Sequence, residues 1–352
     1  MRAILCSPEG EVVTRDVVDG RWTEPEGDAE TVIGEGTWAL PGLVDAHSHI
    51  ARERLDYLSG DLAGAEERAR ESLRSGVMLL LDKGWLDDTA IQVARRVPEE
   101  ERPDIEAAAR IIANEGGYMK DVALEVGEGT FDEAIRDQAR RGDGWVKLVG
   151  DWPRKGLGAV ANFTEDQLRR AVEIAAEEGA RVAIHTMARD VPSMAVRAGV
   201  HSIEHGLFLT AEDVEALAAR GGMWVPTILR VEHTIAQLGT ESTGGRLLAE
   251  GLENVRRLLG LASEAGAHVL AGTDLVGTPT NVASEALKLI EYGLPAAEAV
   301  RAVSSSGLAA TGRATDFAPG SPANAVLFPS NPYDEPDVLK HPTAVIRLGR
   351  LV

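Results

Sequence analysis

Short apolar runs alternate with amphipathic helical patterns from residue 43 to about residue 314. Apolar residues three and four positions apart predict the helices, and Thr164 with Gln167 three residues later forms a capping box at the start of one of them. The apolar runs predict eight strands, at 43–47, 77–82, 106–112, 145–149, 181–185, 202–205, 223–228 and 268–274. Helices are predicted at ranges such as 63–75, 131–141, 164–179 and 211–221.

A regular alternation of strands and helices is typical of parallel β-structure. About eight such units within about 270 residues match the size of a closed barrel. We therefore predict the α/β class, with a (β/α)8 TIM barrel over residues 43–314. A doubly wound open sheet is the alternative that this pattern leaves open.

Both ends of the chain lack the alternation. Residues 1–42 contain short strand patterns separated by turns, including the hairpin signal Asp19-Gly20. From about residue 315, short strand patterns with proline and glycine turns return. We therefore predict that residues 1–42 and 315–352 pair into one small composite β-sandwich domain, with Pro41-Gly42 at its boundary with the barrel.

The 352-residue chain is acidic, with a formal net charge of -20 and a pI near 4.9. Because such a surface repels nucleic acid and anionic membranes, we expect neither as a partner. We expect a small-molecule or short-peptide substrate instead. A homo-oligomer remains possible from the sequence. The single cysteine, Cys6, excludes an intramolecular disulfide and suits a reducing compartment. The sequence has no signal-peptide or membrane-span pattern, so it predicts a cytoplasmic protein. Because the chain has one cysteine, any metal ligands would be His, Lys or carboxylate.

Six potential ligands lie in or at the ends of predicted strands, and the active site of such a barrel lies at the C-terminal strand ends. His47 and His49 follow the first strand, and side chains two residues apart share one face of an extended chain. The others are Lys147 within the fourth strand, His185 at the end of the fifth, His205 at the end of the sixth and Asp274 at the end of the eighth.

Each of these residues taken alone has a structural alternative. His185 and His205 could be polar ends of buried strands, and Asp274 could cap a turn. Lys147 lies within the apolar run 145–149, where an ammonium group is costly to bury without a partner, although its side chain could instead reach solvent. Six donors at the ends of five strands together favour one metal site.

Several motifs resemble those of a known family. PGLVDAHSH, the lysine of the fourth strand, VAIH, GVHSIEHG, VLAGTD and the C-terminal AVRAVSSSGLAATG, APGSPANAVLF and VIRLGRLV are similar to the metal-dependent amidohydrolase superfamily. Within it, they look like the imidazolonepropionase-like and Xaa-Pro-dipeptidase-like branch. The resemblance extends from about Pro41 to the C-terminus.

The resemblance implies a hydrolase with two divalent metal ions, usually Zn²⁺, that cleaves a C–N bond in an amide, dipeptide or cyclic amide. Lys147 would be carboxylated (carbamylated) on its amine and bridge the ions, which turns a buried cation into an anionic ligand. A metal-bridging hydroxide would attack the carbonyl, and Asp274 would pass its proton to the leaving amine. The resemblance assigns one ion to His47, His49 and Asp274 and the other to His185 and His205.

Two departures from that branch concern the substrate. Its dipeptidase-like members tend to have Gly-Gly-His after the third strand, where this chain has Gly116-Gly117-Tyr118, and a tyrosine after the Pro-Thr pair of the seventh strand, where it has Arg230. A guanidinium group could bind a substrate carboxylate through two N–H groups. The candidate substrate contacts are Tyr118, Trp152 and Arg154 of the loop 150–158, Arg230, and His233.

Other functions remain open at this point. A mononuclear aminohydrolase would deaminate a heterocycle, but relatives of that type commonly carry a glutamate three residues after the fifth-strand histidine, where this chain has Ala188. The same metals could instead hydrolyse a lactone, an ester or a phosphoester. A barrel without catalytic activity is the third hypothesis. His201 and His268 are predicted at the opposite face of the barrel, and His341 in the small β domain.

Overall fold

The structure is a computed structural model, and it describes residues 1–52, 61–154, 156–274 and 282–352. Lys155, in the loop 150–158 that carries the candidate contacts Trp152 and Arg154, lies outside the described residues. The strands are β1 Arg2–Cys6, β2 Val12–Val18, β3 Arg21–Thr23, β4 Val32–Ile33, β5 Trp38–Leu40, β6 Leu43–Ser48, β7 Val77–Asp82, β8 Asp104–Ala107, β9 Ile112–Asn114, β10 Leu124–Val126, β11 Trp145–Val149, β12 Asp151–Arg154, β13 Gly158–Ala161, β14 Arg181–Thr186, β15 Ser202–His205, β16 Met223–Val225, β17 His268–Val269, β18 Ala325–Phe328, β19 Ala344–Arg347 and β20 Arg350–Leu351. The helices are α1 Leu62–Arg74, α2 Thr89–Arg96, α3 Phe131–Arg141, α4 Glu165–Glu177, α5 Val191–Arg197, α6 Ala211–Ala219, α7 Ile228–Leu238, α8 Thr243–Ala265, α9 Val282–Glu291, α10 Ala296–Ala302 and α11 Ser305–Ala310.

Strands from both ends of the chain share one sheet. Its order is β20-β19-β18-β5-β1-β2-β3, with β4 beside β1. The C-terminal β18 runs antiparallel to the N-terminal β5, so that Val326 lies opposite Leu40. Asp19 and Gly20 form the two-residue turn between β2 and β3 with φ of 49° and 73°, the left-handed backbone that this hairpin signal predicts.

Ten of the described strands between these ends form parallel pairs in two groups. One group is β6-β7-β8, and the other has the order β10-β9-β11-β14-β15-β16-β17. A parallel bridge between Ala108 and Trp145 connects the groups on one side. On the other side, the backbone N–H of Ala46 donates to the carbonyl of Ala271 at 2.9 Å. The architecture is of the TIM-barrel type, which brings the C-terminal strand ends to one rim.

The apolar side chains of these strands pack in two layers. Leu79 and Leu81 of β7, Trp145 of β11 and Ala183 of β14 belong to an inner cluster enclosed by the strands. Residues with the opposite parity, such as Leu80, pack in a larger cluster with the helices. This division follows from the alternation of side chains along a strand, and it explains why these strands are apolar on both faces.

Some predicted strand limits differ from the structure. The strands at 145–149 and 202–205 are confirmed, but the single strand at 106–112 is wrong because β8 ends at Ala107 and β9 begins at Ile112. Between them, the backbone N–H of Arg110 donates to the side chain of Gln138 instead of to a neighbouring strand. The seventh strand ends at Val225, and the eighth is regular only over 268–269. No helix within the described residues has the length and apolar character needed to span a bilayer.

Candidate metal centre and cavity

His47, His49 and Asp274 form a cluster at the rim of the parallel strands. The Nε2 atoms of the two imidazoles are 3.2 Å apart. Asp274 Oδ1 lies 3.7 Å from His47 Nε2 and 3.5 Å from His49 Nε2. Three donor atoms so close together, two imidazole nitrogens and a carboxylate oxygen, could hold a metal ion.

The other ring nitrogen of each histidine lies close to an oxygen that can accept its proton. His49 Nδ1 donates to the carbonyl of Gly84 at 2.6 Å. His47 Nδ1 lies 2.7 Å from Glu204 Oε2, which can only accept when ionised. A proton on each Nδ1 leaves both Nε2 atoms free to bind a metal ion.

His185 and His205 form a second pair on the adjacent strands β14 and β15. His205 Nε2 lies 2.9 Å from His185 Nδ1 and 3.9 Å from Asp274 Oδ2. The hydroxyl of Thr227 donates to the carbonyl of Pro226 and so accepts from His205 Nδ1, at 2.6 Å. This arrangement leaves His205 Nε2 as an acceptor that faces both His185 and Asp274.

Lys147 of β11 lines the same cavity as the two histidine pairs. Its side chain is 3% exposed, and its Nζ has no hydrogen-bond partner among the described residues. An isolated ammonium group is costly to bury, so a modified or metal-bound state fits this position better than a free amine. The orphaned Nζ and the exposed lone pairs of the imidazoles together fit a centre for divalent ions.

Burial controls the ionisation of the cluster. It lowers the pKa of His47 to about 4 and of His205 to about 3, so both imidazoles are neutral at neutral pH. Burial likewise lowers the pKa of Lys147, to about 8. For Asp274 burial alone would raise the pKa, but the charged groups around it, the guanidinium of Arg230 among them, outweigh burial and hold that pKa well below its usual range. Neutral imidazoles beside an ionised carboxylate are the protonation states that a divalent cation selects.

Three residues of the rim have left-handed backbone conformations, which side chains other than glycine rarely adopt. They are His205 with φ 63°, Thr227 with φ 50° and Asp274 with φ 38°. His205 follows Glu204 directly, and on a regular strand their side chains would point to opposite faces. The turn at His205 brings its ring to the same rim. Strain of this kind is typical of functional sites.

A cavity of about 480 Å³ opens above the cluster. Aromatic side chains form one side of it, where Tyr118 packs edge-on against Trp152 with ring centroids 4.5 Å apart. Helices α7 and α8 supply aliphatic side chains such as Leu238 and Leu248 on another side. Arg230 lines the cavity and its Nε lies 3.7 Å from Asp274 Oδ2. The lining is therefore mainly apolar, with cationic and acidic groups close to the histidines.

The sequence-predicted site residues fall into two groups. All six candidate ligands line this one cavity, and so do the candidate substrate contacts Tyr118, Trp152 and Arg230. Arg154 and His233 are not among the described lining residues. Arg154 donates to Asn162 Oδ1 at 3.1 Å, and His233 Nε2 contacts Gln237 one helical turn further along α7. For these two residues the structure gives no reason to expect contact with a substrate.

Sequence reasoning missed the buried charges beneath the rim. Lys83 and Glu204 are 1% and 0% exposed, and Lys83 Nζ lies 3.1 Å from Glu204 Oε1. A signal was present in both cases. Glu204 stands two residues after Ser202 in the strand SIEH, and Lys83 stands two after Leu81, so alternation places both inside the barrel.

Four further buried carboxylates fasten the backbone around the rim, and sequence reasoning missed them too. Asp45 accepts from the N–H of Thr273 at 3.0 Å, beside Asp274. Burial raises the pKa of Asp45 to about 6. The other three act in the same way: Asp82 accepts from Ile50 and Gly84, Asp151 from Met187, and Glu285 from Ile228 and Leu229. Each joins the loop after one strand to a neighbouring element, which fixes the positions of the residues at the rim.

Comparison with known proteins gives the family. The sequence matches the Amidohydrolase family over residues 38–352. It is 34% identical to an uncharacterized protein of Mycobacterium tuberculosis over 98% of this chain and 94% of that protein. It is 24% identical to the ochratoxinase of Aspergillus niger over 88% of this chain and 74% of that enzyme. A crystal structure of a Xaa-Pro dipeptidase covers both chains in full with a TM-score of 0.85 at 19% identity, which shows a shared fold. The chain therefore belongs to the amidohydrolase family and is a hydrolytic enzyme that acts on carbon–nitrogen bonds.

Proposed function

We propose that the protein hydrolyses a C–N bond in a small amide, dipeptide or cyclic amide with the aid of two divalent metal ions, for which Zn²⁺ is the expected metal. The position of Asp274 between two imidazole pairs carries this proposal. Its Oδ1 faces His47 and His49, and its Oδ2 is 3.9 Å from His205 Nε2. A carboxylate in that position can serve both pairs.

The residues have distinct roles in the proposal. Two bound divalent ions would polarise the scissile carbonyl and lower the pKa of a water molecule. Asp274 would accept the proton of that water and deliver it to the leaving nitrogen. Lys147 would be carboxylated and bridge the two metal positions, and its orphaned Nζ supports this role. The proposed ligand sets are His47, His49 and Asp274 for one ion and His185 and His205 for the other.

The proposal includes the architecture that holds this site. A closed (β/α)8 barrel over residues 43–314 is supported by the hydrogen bond from Ala46 to Ala271 and the bridge between Ala108 and Trp145. A composite domain of residues 1–42 and 315–352 is supported by the pairing of β18 with β5. In such a barrel the loops after the strands form the substrate pocket.

The test combines metal analysis with a substrate library. The apo protein is loaded with Zn²⁺ and is expected to retain about two ions per chain, as a two-metal site requires. It is then assayed on N-acyl amino acids, dipeptides and cyclic amides, with lactones and amino-heterocycles as further groups. Activity should be lost in His47→Ala and in Asp274→Asn, while His341→Ala, an exposed histidine outside the site, should keep it. A protein that retains no ion after loading, or that releases ammonia from heterocycles and cleaves no amide, would overturn the proposal.

A further inference from the structure

Lys83, Glu204 and His47 form a continuous buried chain beneath the candidate metal centre. Glu204 Oε1 lies 3.1 Å from Lys83 Nζ and accepts from the hydroxyl of Ser202 at 2.6 Å. Glu204 Oε2 lies 2.7 Å from His47 Nδ1. None of Lys83, Glu204 and His47 is more than 2% exposed. Each oxygen of the carboxylate therefore has a different task.

The packing around the pair leaves it little freedom. The ammonium group of Lys83 lies 4.6 Å above the ring of Trp145 in the barrel interior. The backbone N–H of Lys83 donates to Ser48 at 2.8 Å, on the strand that carries His47. A buried ion pair gains little stability over well-packed apolar residues, because desolvation offsets the attraction. Stability alone is thus a weak reason for two charges at this position.

The hydrogen-bonding capacities of the three groups determine the tautomer of His47. Lysine has only donors and an ionised glutamate only acceptors, so Oε1 is committed to Lys83 and Oε2 is available to the imidazole. A neutral imidazole has one N–H, and Oε2 draws it to Nδ1. The lone pair of Nε2 then points toward His49 and Asp274.

We propose that Lys83 and Glu204 are positioning residues that fix His47 as the Nδ1–H tautomer and thereby set the affinity of the metal position formed by His47, His49 and Asp274. This inference rests on the metal centre of the proposed function and not on its substrate. The second pair, His185 and His205, has a separate partner in Thr227. Loss of the Lys83–Glu204 pair should therefore affect the first position and spare the second.

Replacement of Glu204 by glutamine gives a specific test, because an amide has one acceptor and one donor end. Lys83 requires the oxygen, so in Glu204→Gln the NH2 group must face His47. That orientation moves the ring proton to Nε2, which blocks metal binding. In the double variant Lys83→Met/Glu204→Gln the amide can rotate and present its oxygen to His47 again. The second substitution should therefore rescue the first.

The experiment measures the tautomer and the affinity separately. Long-range ¹H–¹⁵N spectra of the apo protein report which nitrogen of His47 carries the proton. Competition with a chromogenic Zn²⁺ chelator reports the affinity of each position. We expect the Nδ1–H tautomer of His47 in the native chain. In Glu204→Gln we expect the Nε2–H tautomer and an about 10- to 100-fold reduction in one of the two Zn²⁺ affinities, with the other unchanged. The tautomer and the affinity should both return to their native values in the double variant.

Asp213→Asn is the matched control, since Asp213 is a buried carboxylate on α6 that accepts from Ser193 and Thr210 and touches no candidate ligand. Its tautomer and affinity values should equal those of the native chain. If Glu204→Gln does not fold, the double variant, which has no charge at these two positions, still tests the tautomer against Lys83→Met. Native affinity in Glu204→Gln, or no recovery in the folded double variant, would overturn the inference. A native chain that binds no Zn²⁺ would instead overturn the proposed metal centre. The NMR spectra of the apo protein would then still test whether Lys83 and Glu204 set the tautomer of His47.

Discussion

Gly272 is the position where a single methyl group should disturb the candidate metal centre most directly. A Cβ atom at Gly272 would lie 2.6 Å from His47 Cβ, 2.6 Å from Val225 Cγ1 and 2.8 Å from the backbone nitrogen of His47. Carbon atoms in contact are normally about 3.5–4.0 Å apart, so β6 or the segment before Asp274 must move by about 1 Å. Overpacking of this kind costs about 1–3 kcal/mol of unfolding free energy.

The same movement should weaken metal binding more than it weakens folding. Ligand distances in a zinc site tolerate only about 0.2 Å, so a shift of His47 by about 1 Å removes it as a ligand. Urea denaturation measures the loss of stability, and chelator competition measures the Zn²⁺ affinity of Gly272→Ala. Gly260→Ala is the matched control, because a Cβ there meets nothing within 4 Å and helix α8 should gain up to about 1 kcal/mol from alanine. If Gly272→Ala were as stable as Gly260→Ala and bound Zn²⁺ like the native chain, the argument from close packing would be wrong.

Three further predictions concern the cavity wall, a buried acid and the C-terminal strands. Arg230→Met should raise the KM for a substrate with a carboxylate at least about tenfold, because one hydrogen bond to a charged group is lost. The KM for the corresponding uncharged amide should change little. Steady-state kinetics on the two substrates would measure both values. Burial raises the pKa of Glu285 from 4.5 to about 8, so the folded state holds this proton more tightly, and the unfolding free energy should fall as the pH rises between those values. Urea denaturation at several pH values should find a smaller fall in Glu285→Gln, and an unchanged slope would contradict the assignment. Arg347 of β19 is 2% exposed and pairs with Asp104 of β8 at 2.5 Å. Arg347→Met should therefore lower the free energy of unfolding by about 1–3 kcal/mol in the same assay. Arg350 is exposed, and Arg350→Met should lower it by less than about 1 kcal/mol.

The broad fold could be predicted because its signals are local. Alternating apolar runs and helical patterns indicated parallel strands, and the family suggested by the motifs is confirmed by the match over residues 38–352. The hairpin at Asp19-Gly20 and the capping box at Thr164 also formed as predicted, since both depend on residues within a few positions of each other. Where a strand ends was harder to predict. The break after Ala107 depends on Gln138, about thirty residues away, whose side chain takes the N–H of Arg110.

The sequence predicted which residues meet at the candidate site only where those residues lie at strand ends. Six residues chosen for those positions line one cavity, whereas of the five candidate substrate contacts Tyr118, Trp152 and Arg230 line it and Arg154 and His233 do not. The difference is physical. Parallel strands bring their C-terminal ends to a common rim regardless of the loops. The direction of a loop or helix side chain depends instead on partners such as Asn162 and Gln237, which no sequence pattern identified.

Glu204 and His205 illustrate the limit of pattern reasoning most clearly. Strict alternation along SIEH would place Ser202 and Glu204 inside the barrel and His205 outside, so the rule that finds the buried glutamate would reject the candidate ligand beside it. Both side chains face the centre because the backbone turns to φ 63° at His205. The hydrogen bond of His205 to Thr227, which is itself left-handed at φ 50°, holds that turn in place. The rim is therefore built by departures from regular strand geometry, and these are stabilised by contacts between residues more than twenty positions apart. Alternation along regular strands therefore identifies buried residues such as Glu204, whereas the direction of the His205 side chain depends on a turn that alternation does not predict.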